Sequence, residues 1–373
     1  MTDRVYIQPL SFVASAQAAD GDALRLAGGL LYAREFAITV TRNGAVAQRN
    51  LATASTILRA FEKLPASLAE EAERQWSNLQ LAHPPLHCGE RIIRLDQPQI
   101  MGILNVTPDS FSDGGQFMDD PQVARDHAAA MVEAGAALID IGGESTRPKA
   151  DPVWEGDEIA RVVPAVKASV AMGAAVSVDT RKPAVMQAAL TAGAHVVNDV
   201  SALRYDPRAI DLVAQASCPV ILMHSPGPGD GTGGDLHSDA NYGNVLFDVF
   251  DWLREARDRA VAGGVARELI VLDPGIGFGK SMAENLALMQ GLALFHALGQ
   301  PVILGASRKR MIGAMSNEAP AHRRLGGSLA LALAGMAAGV QILRVHDVFE
   351  TVQARNVWRG QRDAALMDFS GLA

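Results

Sequence analysis

Cysteine is scarce in this sequence, and its two positions show no pattern. Cys88 and Cys218 stand far apart in a chain of 373 residues and lack the spacing of metal ligands. Such sparse use of cysteine fits a reducing compartment, where each thiol serves as a packing or surface residue. We therefore expect neither a disulfide framework nor a cysteine metal centre.

Apolar runs long enough to span a membrane are also missing. The stretch FVASAQA near the N-terminus faintly resembles a signal-peptidase site. However, Gln8 and Pro9 interrupt the apolar run before it, and Asp3 cancels the charge of Arg4. The sequence thus argues against a signal peptide and predicts a cytoplasmic protein with no membrane partner.

The sequence also lacks an excess of positive charge. The net charge is −8 and the isoelectric point is near 5.6, which argues against a basic surface and against a nucleic-acid partner. A small anionic substrate would have to be met by a local cluster of arginine, lysine and histidine. No Ser–His–Asp or Cys–His arrangement is recognisable, so covalent catalysis is disfavoured.

Short apolar runs that alternate with helical patterns fill the chain from residue 99 onward. The eight runs are QIMGILNV (99–106), ALIDIGG (137–143), AVSVDT (175–180), HVVNDVS (195–201), PVILMHS (219–225), LIVLDPG (269–275), PVILGAS (301–307) and QILRVHDV (341–348). Strands that are apolar on both faces indicate a covered parallel sheet. Eight such units predict a (β/α)₈ TIM barrel, of roughly 250 residues in typical cases. The rival, a doubly wound open sheet, would carry G-x-G-x-x-G in its first turn, which NVTPDSFSDGG lacks.

Residues 1–89 read as a small N-terminal α/β appendage, and residues 90–373 as the barrel domain. AITVTRNGAVAQ (37–48) predicts a hairpin with its turn at Asn43-Gly44. SLAE (67–70) predicts a capping box that opens a helix through about Leu79. ERIIRLDQPQ (90–99) predicts a short strand pair that closes the bottom of the barrel.

Unusual polar residues follow the carboxyl ends of the predicted strands, where the active site of such a barrel forms. In strand order they are Asn105, Thr107 and Asp109; Thr146 and Arg147; Asp179; Asn198 and Asp199; Met223 and His224; Asp273; Ser307 and Lys309; and Arg344 and His346. Strand ends leave the core and often become polar, so Asp199 and Asp347 also fit ordinary loop or capping roles. The repetition at every strand favours a site.

These strand-end residues divide into two chemical subsets, and the first suits a flat heterocycle. Carboxylates accept N–H bonds, an amide can donate and accept, and an ammonium group donates. Buried carboxylates without cations are costly, so a ligand that supplies donors would explain their presence. This subset consists of Asp179, Asn198, Asp273 and Lys309.

The second subset suits a phosphate or pyrophosphate. It consists of Arg147, Arg344 and His346, together with Asn105, whose oxygen could hold a divalent ion. Arg147 also fits a solvated loop position. Arg344 lies inside an apolar strand, which is a poor place for an arginine without a function.

The segment DPGIGFGK (273–280) lacks the spacing of a phosphate-binding loop. We interpret its glycines as allowing Phe278 to lie over the site, where it could stack on an aromatic substrate or form a hydrophobic plug. Met223 is interpreted as packing under a ring. His224 fits a hydrogen-bonded core histidine.

These motifs resemble the dihydropteroate synthase family over nearly all of residues 90–373. The matching segments are MGILNVTPDSFSDGG (101–115), GGESTRP (142–148), SVDT (177–180), VNDVSA (197–202), DPGIGFGK (273–280), SRK (307–309) and RVHD (344–347). The resemblance implies condensation of 6-hydroxymethyl-7,8-dihydropterin diphosphate with p-aminobenzoate, which gives 7,8-dihydropteroate and pyrophosphate in folate biosynthesis.

The resemblance also implies which residues of this sequence bind each ligand. For the pterin they fall on Asp179, Asn198, Met223, Asp273 and Lys309. For the diphosphate they fall on Asn105, Thr146, Arg147, Arg344 and His346, with Mg²⁺ on Asn105. For p-aminobenzoate they fall on Thr107, Pro108, Phe278, Ser307 and Arg310. Loops near 107–115 and 144–152 would close over the aminobenzoate. The residues implied in catalysis are Asp179, Lys309, Arg147 and Asn105.

The reaction expected from this chemistry is a dissociative, S_N1-like displacement, because the electron-rich pterin can stabilise a positive methylene carbon near Asp179. Sulfonamides should compete with p-aminobenzoate. The family also implies a homodimer, for which the apolar helix at 326–339 is one candidate interface; the pattern of this helix equally fits burial against the barrel.

The chain departs from the family pattern in three places. Arg310 follows SRK where serine is common, SPGPGD follows Met223-His224, which leaves the segment from about 225 to 240 uncertain, and residues 1–89 have no counterpart in the minimal enzyme. Two alternatives stay open: a pterin-barrel methyltransferase acting on methyltetrahydrofolate, and a non-catalytic pterin-binding protein.

Overall fold

The computed structural model describes residues 3–13, 22–107, 121–145, 152–227 and 240–364. The N-terminal part is a four-stranded antiparallel sheet followed by two helices. Its elements are β1 (Arg4–Val13), β2 (Leu24–Arg25), β3 (Tyr32–Arg42), β4 (Ala45–Thr53), α1 (Ile57–Phe61) and α2 (Ala66–Gln80). Strand β3 pairs with β1 along one edge and with β4 and β2 along the other.

The predicted hairpin is confirmed. Strands β3 and β4 pair antiparallel from Arg42↔Ala45 to Glu35↔Thr53. Asn43 and Gly44 both have positive φ, 52° and 82°, which is the backbone geometry that a two-residue hairpin turn needs.

The capping box predicted at 67–70 is wrong, although the helix itself is confirmed. Helix α2 starts at Ala66, and the carbonyl of Pro65 accepts hydrogen bonds from the backbone N–H groups of Leu68 and Ala69. Because the first turn already begins before Ser67, that residue sits inside the helix and cannot act as its N-cap.

The barrel strands all lie within the eight predicted apolar runs. They are β7 (Gln99–Asn105), β8 (Leu138–Gly142), β9 (Val176–Asp179), β10 (Val196–Asp199), β11 (Val220–Met223), β12 (Ile270–Asp273), β13 (Ile303–Leu304) and β14 (Ile342–Val345). Neighbouring strands pair in parallel, and a parallel bridge between Leu272 and Val302 closes the sheet. The predicted (β/α)₈ barrel is therefore confirmed.

Helices cover the outside of the barrel. They are α3 (Pro121–Glu133), α4 (Glu155–Ala171), α5 (Pro183–Thr191), α6 (Arg208–Ala216), α7 (Val245–Ala262), α8 (Met282–Gln290), α9 (Arg310–Ala314), α10 (Leu325–Ala337) and α11 (Val348–Ala364). A 3₁₀ segment, Leu292–Leu298, follows α8. Within the described ranges, no helix combines the length and the apolar character that crossing a bilayer requires.

A short hairpin closes the amino-terminal end of the barrel. It consists of β5 (Leu86–Cys88) and β6 (Arg91–Ile93), a few residues before the predicted position. Buried Leu86, Ile93 and Leu95 pack against residues near the start of the barrel strands, such as Leu138. The domain boundary predicted between residues 89 and 90 falls in the turn of this hairpin and stays a prediction.

The N-terminal sheet packs against the outside of the barrel. The Tyr6 ring stacks on Phe247 of α7 at 4.1 Å between centroids, and its hydroxyl donates a 2.9 Å hydrogen bond to Asp251. Gln75 of α2 pairs with the free edge of β1, because its amide bonds the N–H of Ile7 and the carbonyl of Val5. Sheet, helices and barrel thus share one continuous hydrophobic core.

Candidate active site

A cavity of about 700 Å³ opens at the carboxyl ends of the barrel strands, and we call it the rim cavity. It is lined by all the described residues that the sequence assigned to the diphosphate and the aminobenzoate, which are Asn105, Thr107, Phe278, Ser307, Arg310, Arg344 and His346. Asp179 and Lys309, assigned to the pterin, line it as well. The convergence predicted from the strand ends is therefore present.

A smaller pocket of about 60 Å³ lies next to the rim cavity, and we call it the deep pocket. It gathers the residues assigned to the heterocycle, which are Asp179, Asn198, Met223, Asp273 and Lys309. Phe278 and Arg344 line both spaces, as do Asp179 and Lys309. Pro108, Thr146 and Arg147 lie outside the described residues, as does Asp109.

Arg344 holds the centre of the site through two carboxylates. Its Nε donates to Asp140 Oδ2 at 2.6 Å, and a terminal nitrogen donates to Asp179 Oδ2 at 2.7 Å. Burial lowers the pKa of Arg344, but the charges of Asp140 and Asp179 outweigh it, so the net direction is upward. The guanidinium therefore stays a cation at the boundary between the two spaces.

The two carboxylates of the deep pocket are costly to ionise. Burial raises the pKa of Asp179 to about 7; the charge of Arg344 opposes this, while the charge of Asp140 adds to it. Burial also raises the pKa of Asp273, whose Oδ1 accepts the Gly275 N–H at 2.7 Å. Among the described residues, no hydrogen-bond donor reaches Asp179 Oδ1. This oxygen is an acceptor that a ligand could satisfy.

Lys309 supplies the cation of the deep pocket. Its Nζ lies 4.3 Å from the centre of the Phe278 ring. Burial, together with the neighbouring charge of Arg344, lowers the pKa of Lys309 to about 8. With a pKa near 8 the amine is still mostly protonated at neutral pH, and it lines both spaces.

Hydrogen bonds from Lys280 hold the segment that follows β12 in place. Its Nζ donates to the carbonyls of Gly275 and Phe278 and to His224 Nδ1, at 2.8, 2.9 and 2.9 Å. Gly275 has φ +68°, and a Cβ there would lie 1.9 Å from the carbonyl oxygen of His224. Burial lowers the pKa of Lys280 to about 7. His224 is thus a hydrogen-bonded core histidine, and Phe278 is held over the site.

The far side of the rim cavity presents hydroxyl, imidazole and amide groups. Ser307 Oγ accepts the backbone N–H of His346 at 3.2 Å and lies 3.1 Å from its Nδ1. Arg310 is exposed and begins α9. Asn105 ends β7, and its Oδ1 lies close to Gly142.

The amide oxygen of Asn105 fits the role of a ligand to a magnesium ion. Mg²⁺ prefers oxygen ligands and is commonly held by one or two protein oxygens together with substrate phosphates. In the described part of the chain, no group of three or more histidine, cysteine or acidic side chains could hold a metal by itself. A single amide oxygen in the lining of the rim cavity would suit an ion that arrives bound to a phosphorylated substrate.

Sequence reasoning missed several charged residues that shape the site. Asp140 is fully buried and accepts from both Arg344 and Asn198. Lys182 donates to Glu144 at 2.9 Å and to Glu158 at 2.6 Å, in a buried cluster beside the rim cavity. Asp140 had a signal of its own, since it is a lone carboxylate inside an apolar run, as Arg344 is a lone cation.

Asp199 and Asp347, which also fitted ordinary loop or capping roles in the sequence, have such structural roles. Asp199 caps its own loop, because its carboxylate accepts the N–H groups of Ser201 and Leu203 at 2.7 and 2.8 Å. Asp347 forms an ion pair with Arg308 at 2.5 Å. Neither residue lines the rim cavity or the deep pocket.

Comparisons with known proteins agree with this geometry. A model of the family "Pterin binding enzyme" matches residues 101–346. Over 264 residues the chain is 43% identical to dihydropteroate synthase from Escherichia coli K12, which covers 70% of this chain and 91% of the relative. The N-terminal appendage lies outside the family match.

Solved structures show the same similarity. Dihydropteroate synthase from Xanthomonas albilineans with 4-aminobenzoic acid has a TM-score of 0.69 and 44% identity, covering 75% of this chain and 99% of that one. The same enzyme in complex with 7,8-dihydropteroate has a TM-score of 0.66 and 42% identity, with the same coverage.

Proposed function

This chain belongs to the dihydropteroate synthase family of pterin-binding enzymes, and from that premise we propose the reaction it catalyses. It condenses 6-hydroxymethyl-7,8-dihydropterin diphosphate with p-aminobenzoate, and it releases 7,8-dihydropteroate and pyrophosphate. The observation that carries this proposal is the meeting of the deep pocket with the rim cavity at Arg344. One space suits the ring and the other suits its phosphorylated tail.

The deep pocket would bind the pterin by matching its donors and acceptors. Asp179, Asn198 and Asp273 offer oxygen acceptors to ring N–H and amino groups, and Lys309 donates to the ring carbonyl. Met223 and Phe278 supply apolar contacts to the ring faces. Binding in this pose would give the buried carboxylates the donors they lack and lower the cost of their ionisation.

The rim cavity would hold the diphosphate. Arg344 and His346 face it from β14, and Asn105 is proposed to hold Mg²⁺ by its amide oxygen. When bound, Mg²⁺ would neutralise charge on the leaving group. Thr146 and Arg147 are proposed as further phosphate ligands from the sequence motif that carries them.

The displacement is proposed to be dissociative. The diphosphate would leave first, and the electron-rich pterin would carry the positive charge, which the Asp179 carboxylate would stabilise. That carboxylate is itself held by Arg344, at 2.7 Å. The aromatic amine then attacks the methylene carbon and loses its proton. Single-turnover kinetics tests this order, since pyrophosphate release that strictly requires p-aminobenzoate at every stage would contradict it.

The aminobenzoate is proposed to bind at the outer part of the rim cavity. Thr107, Pro108 and Phe278 would contact its ring, while the Ser307 hydroxyl and the backbone N–H of Arg310 would receive its carboxylate. Competitive inhibition by a sulfonamide against p-aminobenzoate is the expected result. Inhibition that rising p-aminobenzoate cannot relieve would place the drug elsewhere.

The assembly and the location are proposed from the family. We infer a cytoplasmic homodimer that uses the outer face of α10, where Ala330 and Ala334 are exposed while Ala332 and Met336 pack inward. Sedimentation of Ala330→Arg compared with the unaltered protein tests the interface. A dimer that is unchanged by this substitution would exclude α10.

The decisive experiment is to incubate the protein with pterin diphosphate, p-aminobenzoate and Mg²⁺ and to measure pyrophosphate and dihydropteroate. Stoichiometric formation of both products supports the synthase. Methyl transfer from methyltetrahydrofolate to a corrinoid, without pyrophosphate release, would favour the methyltransferase alternative. Tight pterin binding with no turnover would favour the non-catalytic alternative.

A further inference from the structure

Asp140 is a buried carboxylate that neither ligand space contains. It lies in the middle of β8, paired in register with Ile103 on β7 and with Ser177 on β9. Its side chain is fully buried, with 0% exposure. It is absent from the linings of both the rim cavity and the deep pocket. A residue in this place has no access to a substrate and would act only through its neighbours.

The contacts of Asp140 reach one residue of each ligand subset. Its Oδ2 accepts from Arg344 Nε at 2.6 Å and from Asn198 Nδ2 at 2.9 Å. Arg344 belongs to the subset assigned to the diphosphate, and Asn198 belongs to the subset assigned to the heterocycle. One oxygen atom therefore ties together side chains that serve different parts of the substrate.

The hydrogen bond to Asp140 also settles which way the Asn198 amide points. An ionised carboxylate only accepts hydrogen bonds, so the amide must turn its NH₂ group toward Asp140. Its Oδ1 is then the atom left for the deep pocket. The ring bound there must present a donor to Asn198, which adds to the acceptors of Asp179 and Asp273.

The same contact limits the rotation of Arg344. Its Nε is committed to Asp140 and one terminal nitrogen to Asp179, so the plane of the guanidinium is fixed at two of its corners. A planar, fixed guanidinium is the geometry that recognises phosphate oxygens best. Without Asp140, Arg344 would keep a single anchor and could turn about it.

We propose that Asp140 is a positioning residue that orients Asn198 for the pterin ring and Arg344 for the diphosphate, and so links the two halves of substrate binding. This inference rests on the proposed function for the identity of the ligands. It predicts that loss of Asp140 weakens both halves of the substrate, although Asp140 contacts neither.

The experiment measures two separate fragments of the substrate by calorimetry, 6-hydroxymethylpterin without phosphate and pyrophosphate with Mg²⁺. Asp140→Ala should weaken each by about 10-fold, since a hydrogen bond to a charged group has roughly this effect. Asn198→Ala should weaken only the pterin. In the double variant, the further loss of pterin affinity on removing Asp140 should disappear, while the loss of pyrophosphate affinity should persist.

A matched control is available on the next strand. Ser177 is fully buried beside Asp140, and among the described residues no partner bonds its hydroxyl. Ser177→Ala should leave both affinities unchanged. If Asp140→Ala fails to fold, Asp140→Asn keeps the volume and removes the charge, and it should still weaken pyrophosphate by several-fold.

Two results would overturn the inference. Unchanged fragment affinities in a folded Asp140 variant would show that Asn198 and Arg344 orient without it. Fully additive losses of pterin affinity with Asn198→Ala would show that Asp140 does not act on the pterin through Asn198. If the unaltered protein binds neither fragment, the proposed function fails first. If it binds both and Asp140→Asn binds both equally, only the role of Asp140 fails.

Discussion

Replacing Asp179 with asparagine should make the protein more stable and nearly inactive. Asp179 is 9% exposed, and burial raises its pKa from the ordinary 3.8 to about 7. Asparagine has almost the same shape, carries no charge, and leaves Arg344 paired with Asp140. The substitution therefore removes an ionisation that the folded protein resists.

The sign and size of the effect follow from linkage. A carboxyl whose pKa is raised by folding keeps its proton in the native state after the unfolded chain has lost it. Its contribution to stability is therefore complete below pH 4 and is lost as the pH rises toward 7. Each pH unit corresponds to about 1.4 kcal/mol, so the stability gap between Asp179→Asn and the unaltered protein should grow by roughly 4 kcal/mol across that interval.

The assay is urea unfolding of both proteins at several pH values, with the difference in unfolding free energy as the readout. The difference should increase between pH 4 and 7 and stay level above pH 7. Turnover in the pyrophosphate assay should fall by at least 100-fold, as one charge-stabilising contact typically contributes that much. A difference in unfolding free energy that does not change with pH would contradict the inference that burial raises the pKa of Asp179.

Two further substitutions test the supports of the site. Lys182→Met should destabilise the protein by about 3 kcal/mol in urea unfolding, because Glu144 and Glu158 lose a shared buried cation. Arg181, which pairs with Glu144 at 3.1 Å, would remain, and equal stability would show that this cation alone suffices. Gly275→Ala should lower pterin affinity by more than 10-fold, because the new Cβ would lie 1.9 Å from the carbonyl oxygen of His224, the residue that follows β11. Normal affinity in calorimetry would show that the segment carrying Phe278 adapts.

The sequence was sufficient to predict the barrel because strands buried on both faces need continuous apolar runs. Each of the eight runs contains one strand. The site was predictable for a related reason, since parallel strands bring their carboxyl ends to one edge. Asn105, Asp179 and Arg344 could therefore be grouped without any knowledge of distance.

Partners inside the barrel could not be predicted in the same way. Asp140 and Arg344 are 204 residues apart in the chain, and Lys182 and Glu144 are 38 apart. No local pattern reports which buried charges meet, because their pairing depends on strand register and on side-chain direction. The capping box expected at 67–70 is absent because helix α2 already starts at Ala66, with Pro65 as its N-cap, so Ser67 lies inside the first turn.

The contact between Tyr6 and α7 has a consequence for how the chain is made. Tyr6 and Asp251 are 245 residues apart, yet the ring of Tyr6 is buried only when α7 is in place. At a translation rate of about 5–20 residues per second, the first strand waits roughly ten to fifty seconds for its docking surface. During synthesis the N-terminal sheet therefore leaves the ribosome before the surface that covers its Tyr6 face exists.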